Sequence, residues 1–150
     1  MKKLFYLFVL ISLFGTTEAL AQTQYQIVTV VESIVPGGVG RSRIIHEREE
    51  VNAEEFTTER TDGRTSNQDE VSRGDLKVDN FEETKLLNFF SLGGINFQNI
   101  ASNDAIITDK INQLSAEGWE LVFVTSGVES YGGDVDSNGI FITRFIFRRD

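Results

Sequence analysis

The chain has 150 residues, and its 23 acidic against 14 basic side chains give a formal net charge of −9 at pH 7. An acidic surface repels phosphate backbones, which argues against nucleic acid as a partner, because attraction to phosphates supplies much of the affinity in such complexes. The chain has no cysteine, which excludes disulfides and thiolate metal sites, so its stability must come from an ordinary core or from assembly.

The first 21 residues have the order of a secretory signal peptide. Lys2 and Lys3 precede an apolar run over residues 4–14, and Ala19 and Ala21 form a small-x-small cleavage site. The apolar run is shorter than the roughly 20 residues that a membrane-spanning helix needs. We therefore predict a bacterial-type signal peptide over residues 1–21, and one exported domain over residues 22–150, periplasmic or secreted, with no membrane span after cleavage.

Two strands are predicted at the start of this domain. Residues 25–32 are rich in β-branched and aromatic side chains, which is typical of a strand. A glycine-rich stretch over residues 36–40 breaks the chain, and residues 41–47, with Ile44 and Ile45 at their centre, are predicted to pair back on the first strand.

A long polar stretch follows the second strand. Residues 48–79 are mostly charged or polar, and their few apolar side chains have no sustained period. Such a stretch buries little by itself, so we predict a mobile excursion from the domain. The alternative is an irregular cover that Phe56 and scattered valines pin to the domain.

Two helices are predicted next. Asp79 and Asn80 precede Phe81 and two acidic residues, a pattern typical of a helix start, and predict a helix as far as about Leu92. A second helix is predicted to begin at Ser102-Asn103 and to end at Gly118. Its apolar stripe recurs at i, i+4 and i+7 and comprises Ile107, Ile111 and Leu114.

The remaining residues predict a closing pair of antiparallel strands. Residues 119–126 and 139–148 are both rich in β-branched and aromatic side chains, and a glycine-containing loop connects them. The predicted fold class is therefore α+β, with an antiparallel sheet of about four strands in the order β-β-α-α-β-β and two helices packed on it.

The last strand is apolar on both sides. Its alternate residues form two sets, Ile140, Ile142 and Ile146 on one face and Phe141, Phe145 and Phe147 on the other. An antiparallel sheet with a solvated face would alternate apolar and polar residues. We therefore expect both faces to be covered, one by the helices and the other by the excursion or by a second copy of the chain.

The junction between the second helix and its following strand carries a Leu-x-x-x-Gly-Trp-Glu-Leu-Val signature over residues 114–122. With a tyrosine-containing first strand and a last strand that closes on Arg148 and Arg149, it resembles a family of short bacterial domains of unknown function. The resemblance covers the first strand and residues 105–149. It supports the fold and implies no activity, since none is assigned to the family.

The signature has a structural explanation. Gly118 permits a left-handed helix cap, and Trp119 folds back over the helix end. Leu121 and Phe123, which are two residues apart, are expected to enter the core from one strand face.

The acidic loop between Gly127 and Gly139 suggests a calcium site. Asp134, Asp136 and Asn138 stand at alternate positions before a glycine, as in the opening of a calcium loop. The twelfth position of such a loop needs a bidentate glutamate and here falls on Phe145, so Glu129 or a nearby acid would have to complete the shell. An acidic hairpin tip that turns at Asn138-Gly139 explains the same residues. No other cofactor is predicted.

Two further groups of residues have weaker chemical meaning. Arg41 and Arg43 follow the glycine-rich loop and are candidate ligands for a small anion, although the loop lacks the ending of a P-loop. His46 is the only histidine, so histidine-dependent catalysis would have to pass through it. A histidine at a strand end is expected to be solvated or simply hydrogen bonded.

These observations favour a non-enzymatic binding or interaction module of the cell envelope, whose partner is an envelope or extracellular protein or a second copy of the chain. The alternative is a small-ligand or calcium-binding protein that uses the loop from Gly127 to Gly139. A third hypothesis is a hydrolase that uses His46 with acids of the excursion.

Overall fold

A computed structural model of the protein describes residues 22–35, 41–129 and 139–150. Within these ranges the regular elements are β1 (Gln24–Ser33), β2 (Arg43–His46), β3 (Glu82–Lys85), β4 (Phe90–Ser91), β5 (Gly94–Ile95), α1 (Phe97–Ala116), β6 (Glu120–Val128) and β7 (Ile140–Arg149). One sheet has the strand order β3-β2-β1-β7-β6, and all its neighbours are antiparallel. The predicted α+β class is confirmed at this level. The predicted signal peptide lies outside the described residues.

The centre of the sheet is β1, which pairs with β2 on one side and with β7 on the other. Val28 stands opposite His46 of β2 and opposite Phe145 of β7. The predicted pairing of the first two strands is confirmed, as is the pairing of the last two. The glycine-rich residues 36–40 lie outside the described residues.

The predicted helix over residues 81–92 is wrong, and so is the prediction of four strands and two helices. Residues Glu82–Lys85 form β3, which adds a fifth strand to the sheet, and a short hairpin of β4 and β5 follows. The backbone continues to pair beyond β3, because Leu86 N donates a hydrogen bond of ordinary length, 3.0 Å, to Ser42 O. Pairing with β2, which is distant in sequence, outweighs the local signals of a helix start.

The second predicted helix is confirmed, but it begins earlier than predicted. Its N-cap is Asn96, whose side chain accepts hydrogen bonds from the backbone N–H groups of Gln98 and Asn99. The predicted end is confirmed, because Gly118 adopts a φ of +88° and Trp119 N donates to Leu114 O at 3.0 Å. This left-handed residue closes the helix at its C-terminus.

The core lies between α1 and one face of the sheet. Its buried apolar residues are Val28, Val30, Ile44, Leu86, Leu114 and Phe147, and Ile106, Ile107, Ile111, Trp119 and Phe145 pack against them. The stripe predicted for the helix therefore faces the sheet. Trp119 also stacks under Arg149, whose guanidinium carbon is 4.4 Å from the ring centroid.

A polar bridge joins the helix to the segment after β3. Asn103 is fully buried inside the helix, although the sequence predicted it as part of the helix cap. Its Oδ1 accepts from Leu87 N at 2.8 Å, and its Nδ2 donates to Leu87 O at 2.8 Å and to Glu32 Oε1 at 3.1 Å. The pKa of the Glu32 carboxyl is raised, mainly because the group is partly buried. The hydrogen bond from Asn103 lowers this pKa, and the charge of Asp104 raises it.

The polar stretch over residues 48–79 contains two short 3-10 turns, Ala53–Phe56 and Gln68–Glu70, as its regular structure. None of its residues is buried. The side chain of Asn52 caps the first turn by accepting from Glu54 N. The stretch therefore adds no side chain to the core described above.

Strand β6 contains a bulge near its start. Leu121 stands opposite Phe147, but Phe123 stands opposite Ile146, so Val122 is an extra residue in the ladder. The bulge places Leu121 and Phe123 on opposite faces of the sheet, and Phe123 is 59% exposed. The prediction that both enter the core from one face is wrong, because simple alternation fails across a bulge.

Candidate interaction surface

The sheet face opposite α1 is apolar and is not buried. Since Val28, Val30, Ile44 and Phe147 point toward the helix, the residues that alternate with them point away. We call the following nine side chains the open face: Ile27, Thr29, Val31, Ile45, Phe123, Thr125, Ile142, Arg144 and Ile146. None of them is buried, and Ile27 is 47% exposed. We expected this second face to be covered, but none of the described residues covers it.

The open face has a layered chemistry that follows from its register. Its middle row contains Arg144 between Thr29 and Thr125, and Ile45 stands on the other side of Thr29. The row on one side comprises Ile27, Ile146 and Phe123, and the row on the other side comprises Val31, Ile142 and Gly127. Arg144 therefore lies between two rows whose side chains from β1 and β7 are apolar, and Arg43 stands beside Val31 at the end of one row.

Charged residues at the margin of this face are paired. Arg43 Nη1 lies 2.5 Å from Glu83 Oε1, and Arg148 Nη2 lies 3.0 Å from Glu120 Oε2. Arg144, by contrast, has no ion-pair partner among the residues that the structure describes. Its guanidinium is thus available to an acidic group of a binding partner.

The two edges of the sheet differ in how well they are protected from pairing with a further strand. The edge strand β3 has four residues, and Glu82, Glu83 and Lys85 are charged. The other edge, β6, has nine residues with no charge from Leu121 to Val128, and all nine are exposed. Charge and short length are the usual means of blocking an edge from further pairing. β6 has neither of these two features, and the bulge at Val122 is the interruption in its ladder.

His46 lies on the helix side of the sheet and is 1% exposed, not solvated. Arg48 Nε donates to its Nδ1 at 3.4 Å, and its Nε2 is hydrogen bonded to Gln26 Oε1 at 3.1 Å. Burial lowers the pKa of His46, and the cations of Lys110 and Arg48 lower it further, against the opposing effect of Glu82. Both nitrogens face protein groups, which favours a structural role.

Glu82 connects this histidine to the helix. Its Oε2 accepts a hydrogen bond from Lys110 Nζ at 3.1 Å and lies 3.5 Å from His46 Nδ1. The hydrogen bond from Lys110 is the main cause that lowers the pKa of Glu82, with Arg48 and His46 adding to it. This group of charges fastens β3 to α1, and Glu82 is the acid within ion-pair distance of His46 among the described residues.

The metal and anion sites predicted from the sequence stay predictions. Arg41 is exposed after the glycine-rich loop, and Arg43 is ion paired with Glu83 on the open-face side of the sheet. Asp134, Asp136 and Asn138 lie outside the described residues. Over residues 22–35, 41–129 and 139–150, no three His, Asp or Glu side chains are grouped to hold a metal ion.

One acidic residue at the base of the predicted calcium loop is unusual. Glu129 N donates to Ile140 O at 3.0 Å, which closes the β6–β7 hairpin at its base. Its Oε2 is buried and has no hydrogen-bond partner among the described residues. A buried carboxylate oxygen without a partner is costly, so it marks a position where a cation or a donor would stabilise the fold.

No helix in the described part of the chain is long and apolar enough to cross a membrane. Comparison with known proteins finds no match for this chain among family models, curated proteins or solved structures. The resemblance to the bacterial family that shares the Gly-Trp-Glu-Leu-Val signature stays a prediction.

The sequence did not distinguish the residues of the open face from core residues. Ile27, Ile45 and Phe123 have the composition of buried strand positions, and nothing in their order marks them as exposed. The available signal was the apolar character of both faces of β7, combined with too few amphipathic helices to cover them. The open β6 edge follows from the strand order, which a sequence pattern does not contain.

Proposed function

We propose that the protein is an exported, non-enzymatic binding module of the cell envelope that binds another protein through its open face. The observation that supports this proposal is the apolar composition of a face none of whose nine side chains is buried. Exposed apolar surface of this kind, rimmed by polar residues, is typical of protein interaction sites. Here the rim is formed by the ion pairs of Arg43 and Arg148.

The chemistry of the open face specifies the kind of partner. Two apolar rows would accept aliphatic or aromatic side chains, while Arg144 would pair with a carboxylate between them. Arginine is enriched among the residues that dominate binding energy, and a desolvated charge pair at the centre of an interface adds specificity. The partner therefore presents an apolar patch with one central acidic group.

This function can be tested with paired variants of β6 and β7. We expect Phe123→Thr and Arg144→Gln each to weaken binding of the partner by about 30-fold, the effect of removing a central contact residue. Threonine retains the preference for a strand, so the fold should survive. The measurement is cross-linking of the purified protein in an envelope extract, followed by titration of the species that is recovered.

The matched control is Val128→Thr. Val128 is on the same strand and is 62% exposed, but it stands opposite Phe141 on the helix side of the sheet. We expect this variant to bind like the unaltered protein. The open face is not the binding surface if the partner binds all three variants equally. The same follows if Val128→Thr weakens binding as much as Phe123→Thr and Arg144→Gln do.

We propose a calcium site at the β6–β7 hairpin as the second candidate function. Its support is Glu129 at the base of the acidic loop, whose buried Oε2 has no partner among the described residues. We expect saturating calcium to raise the melting temperature by on the order of 10 °C, and Glu129→Gln to abolish the shift. Magnesium, which prefers a stricter octahedral shell, should act more weakly. An unchanged melting temperature in calcium would rule this function out.

A further inference from the structure

We propose that β6 pairs antiparallel with β6 of a second copy to form a continuous ten-stranded sheet, about a two-fold axis that passes midway between the two Val124 residues. The axis is perpendicular to the sheet, so both helices lie on one side and both open faces on the other. This pairing is made by the backbone edge of β6, and Val124, where it is tested, stands opposite Phe145 on the helix side of the sheet, away from the open face. The two proposals can therefore fail separately.

The first support is the contrast between the two edges of the sheet. Strand β3 is short and charged, whereas β6 presents nine exposed residues without a charge between Leu121 and Val128. The exposed fractions of its apolar side chains are 37% for Leu121, 41% for Val122, 59% for Phe123, 45% for Val124 and 62% for Val128. An edge that is long, apolar and free of charge is suited to accept another strand.

The second support is that β6 is complementary to itself. With Val124 opposite its own copy, Phe123 stands opposite Thr125 and Val122 stands opposite Ser126 of the second copy. Phe123 and Thr125 stand opposite Ile146 and Arg144 of β7, so both members of this pair point to the open-face side, as antiparallel pairing requires. An aromatic side chain opposite a β-branched one is among the favourable cross-strand pairs. A two-fold interface needs this kind of self-complementary surface.

The third support is electrostatic. The chain has a net charge of −9, so two copies repel each other unless they meet at a neutral surface. The uncharged segment of β6 is such a surface, and Glu120 at its start is already paired with Arg148. In the dimer each Arg144 would point across the small Thr125 toward Phe123 of the second copy, about two strand spacings of 4.8 Å away, where a cation–π contact is favourable.

These points favour a second copy over an extended peptide from another protein. A peptide of another protein needs no two-fold symmetry, whereas the uncharged residues 121–127 are centred on Val124, so two copies place their uncharged segments fully opposite each other. The dimer would also double the open face on one side of the sheet, so that a partner with two sites would bind with increased avidity.

The test is a charge exchange at the axis. Because Val124 faces itself, Val124→Lys places two cations opposite each other, and Val124→Glu places two anions. We expect each variant to weaken dimerisation on the order of 100-fold, and an equimolar mixture of the two to restore a dimer that contains one of each. Sedimentation equilibrium of the purified protein, with circular dichroism as the check of folding, measures all three states.

The matched control is Thr84→Lys, which puts a cation at an exposed position of the opposite edge strand, β3. We expect its dimer to be as stable as that of the unaltered protein. A monomeric unaltered protein would overturn the proposal. So would a dimer that tolerates both charges, or a mixture that stays monomeric.

A cysteine variant tests the β6–β6 pairing without introducing a charged residue. Opposite residues in an antiparallel pair have Cβ atoms about 4.5–5.5 Å apart, close enough for a disulfide after a small adjustment. The chain has no cysteine of its own. We expect Val124→Cys to form covalent dimers on mild oxidation and Thr84→Cys to remain monomeric on a non-reducing gel. Equal cross-linking of the two variants would contradict the pairing.

Discussion

Replacing Phe147 by alanine is expected to lower the free energy of unfolding by about 3–5 kcal/mol, the usual cost of removing a buried phenylalanine. Phe147 is fully buried between the sheet and α1, where it belongs to the same cluster as Ile44 and Leu114. The change removes apolar contacts and leaves a cavity that rigid strands on both sides cannot close. Urea denaturation followed by circular dichroism measures the loss.

The control for this prediction is Phe141→Ala, on the same strand. Alternation places Phe141 on the same side of the sheet as Phe147, but it is 36% exposed and stands at the other end of β7. We expect its loss to cost clearly less than the loss of Phe147. Equal costs at the two positions would mean that the helix covers the whole length of β7, contrary to the packing described here.

The second large effect is expected at Asn103. Replacement by leucine, which is similar in volume, should cost about 3 kcal/mol, because the backbone N–H and C=O of Leu87 each lose a buried partner. The carboxylate of Glu32 also loses a donor, so the pKa of Glu32 should rise further above its ordinary value. The measurements are urea denaturation and an NMR titration of the Glu32 carboxyl.

Asn112→Leu provides the comparison on the same helix. Asn112 is exposed, so the same change of residue type there has no buried hydrogen bond to break. We expect its effect on stability to lie within about 0.5 kcal/mol, as for ordinary surface substitutions. A cost at Asn103 as small as that at Asn112 would show that the bridge to Leu87 contributes little.

Local patterns predicted the elements whose signals are continuous in sequence. The stripe of Ile107, Ile111 and Leu114 and the glycine cap at Gly118 correctly indicated α1. The strands β1, β6 and β7 were predicted because each is long and rich in β-branched or aromatic residues. In each case local preference and tertiary packing agree.

The failures arose where long-range contacts decide the structure. Residues 82–85 carry helix-start features, but pairing with β2 makes them a strand. Asn103 is a good capping residue by type, yet its amide is buried as a bridge to Leu87, and Asn96 caps the helix instead. Neither outcome is encoded within a few residues of the position concerned.

The candidate surface was predicted only in part, for a related reason. The apolar character of both faces of β7 indicated that one face needs a cover, but the bulge at Val122 moved Phe123 from the expected core to the open face. A bulge leaves no clear pattern in the strand that contains it. The identity of the edge strands likewise depends on strand order, which places β6 outside and β1 at the centre.

The most direct test of the central claim, that the sheet is covered on one side only, compares two adjacent isoleucines of β2. Ile44 is 1% exposed beneath α1, while Ile45 belongs to the open face. In methyl NMR with a soluble paramagnetic agent, we expect the signals of Ile45 and Ile27 to be strongly attenuated and that of Ile44 to be protected. Equal protection of all three would show that another part of the chain covers the open face, and would contradict its assignment as a binding surface.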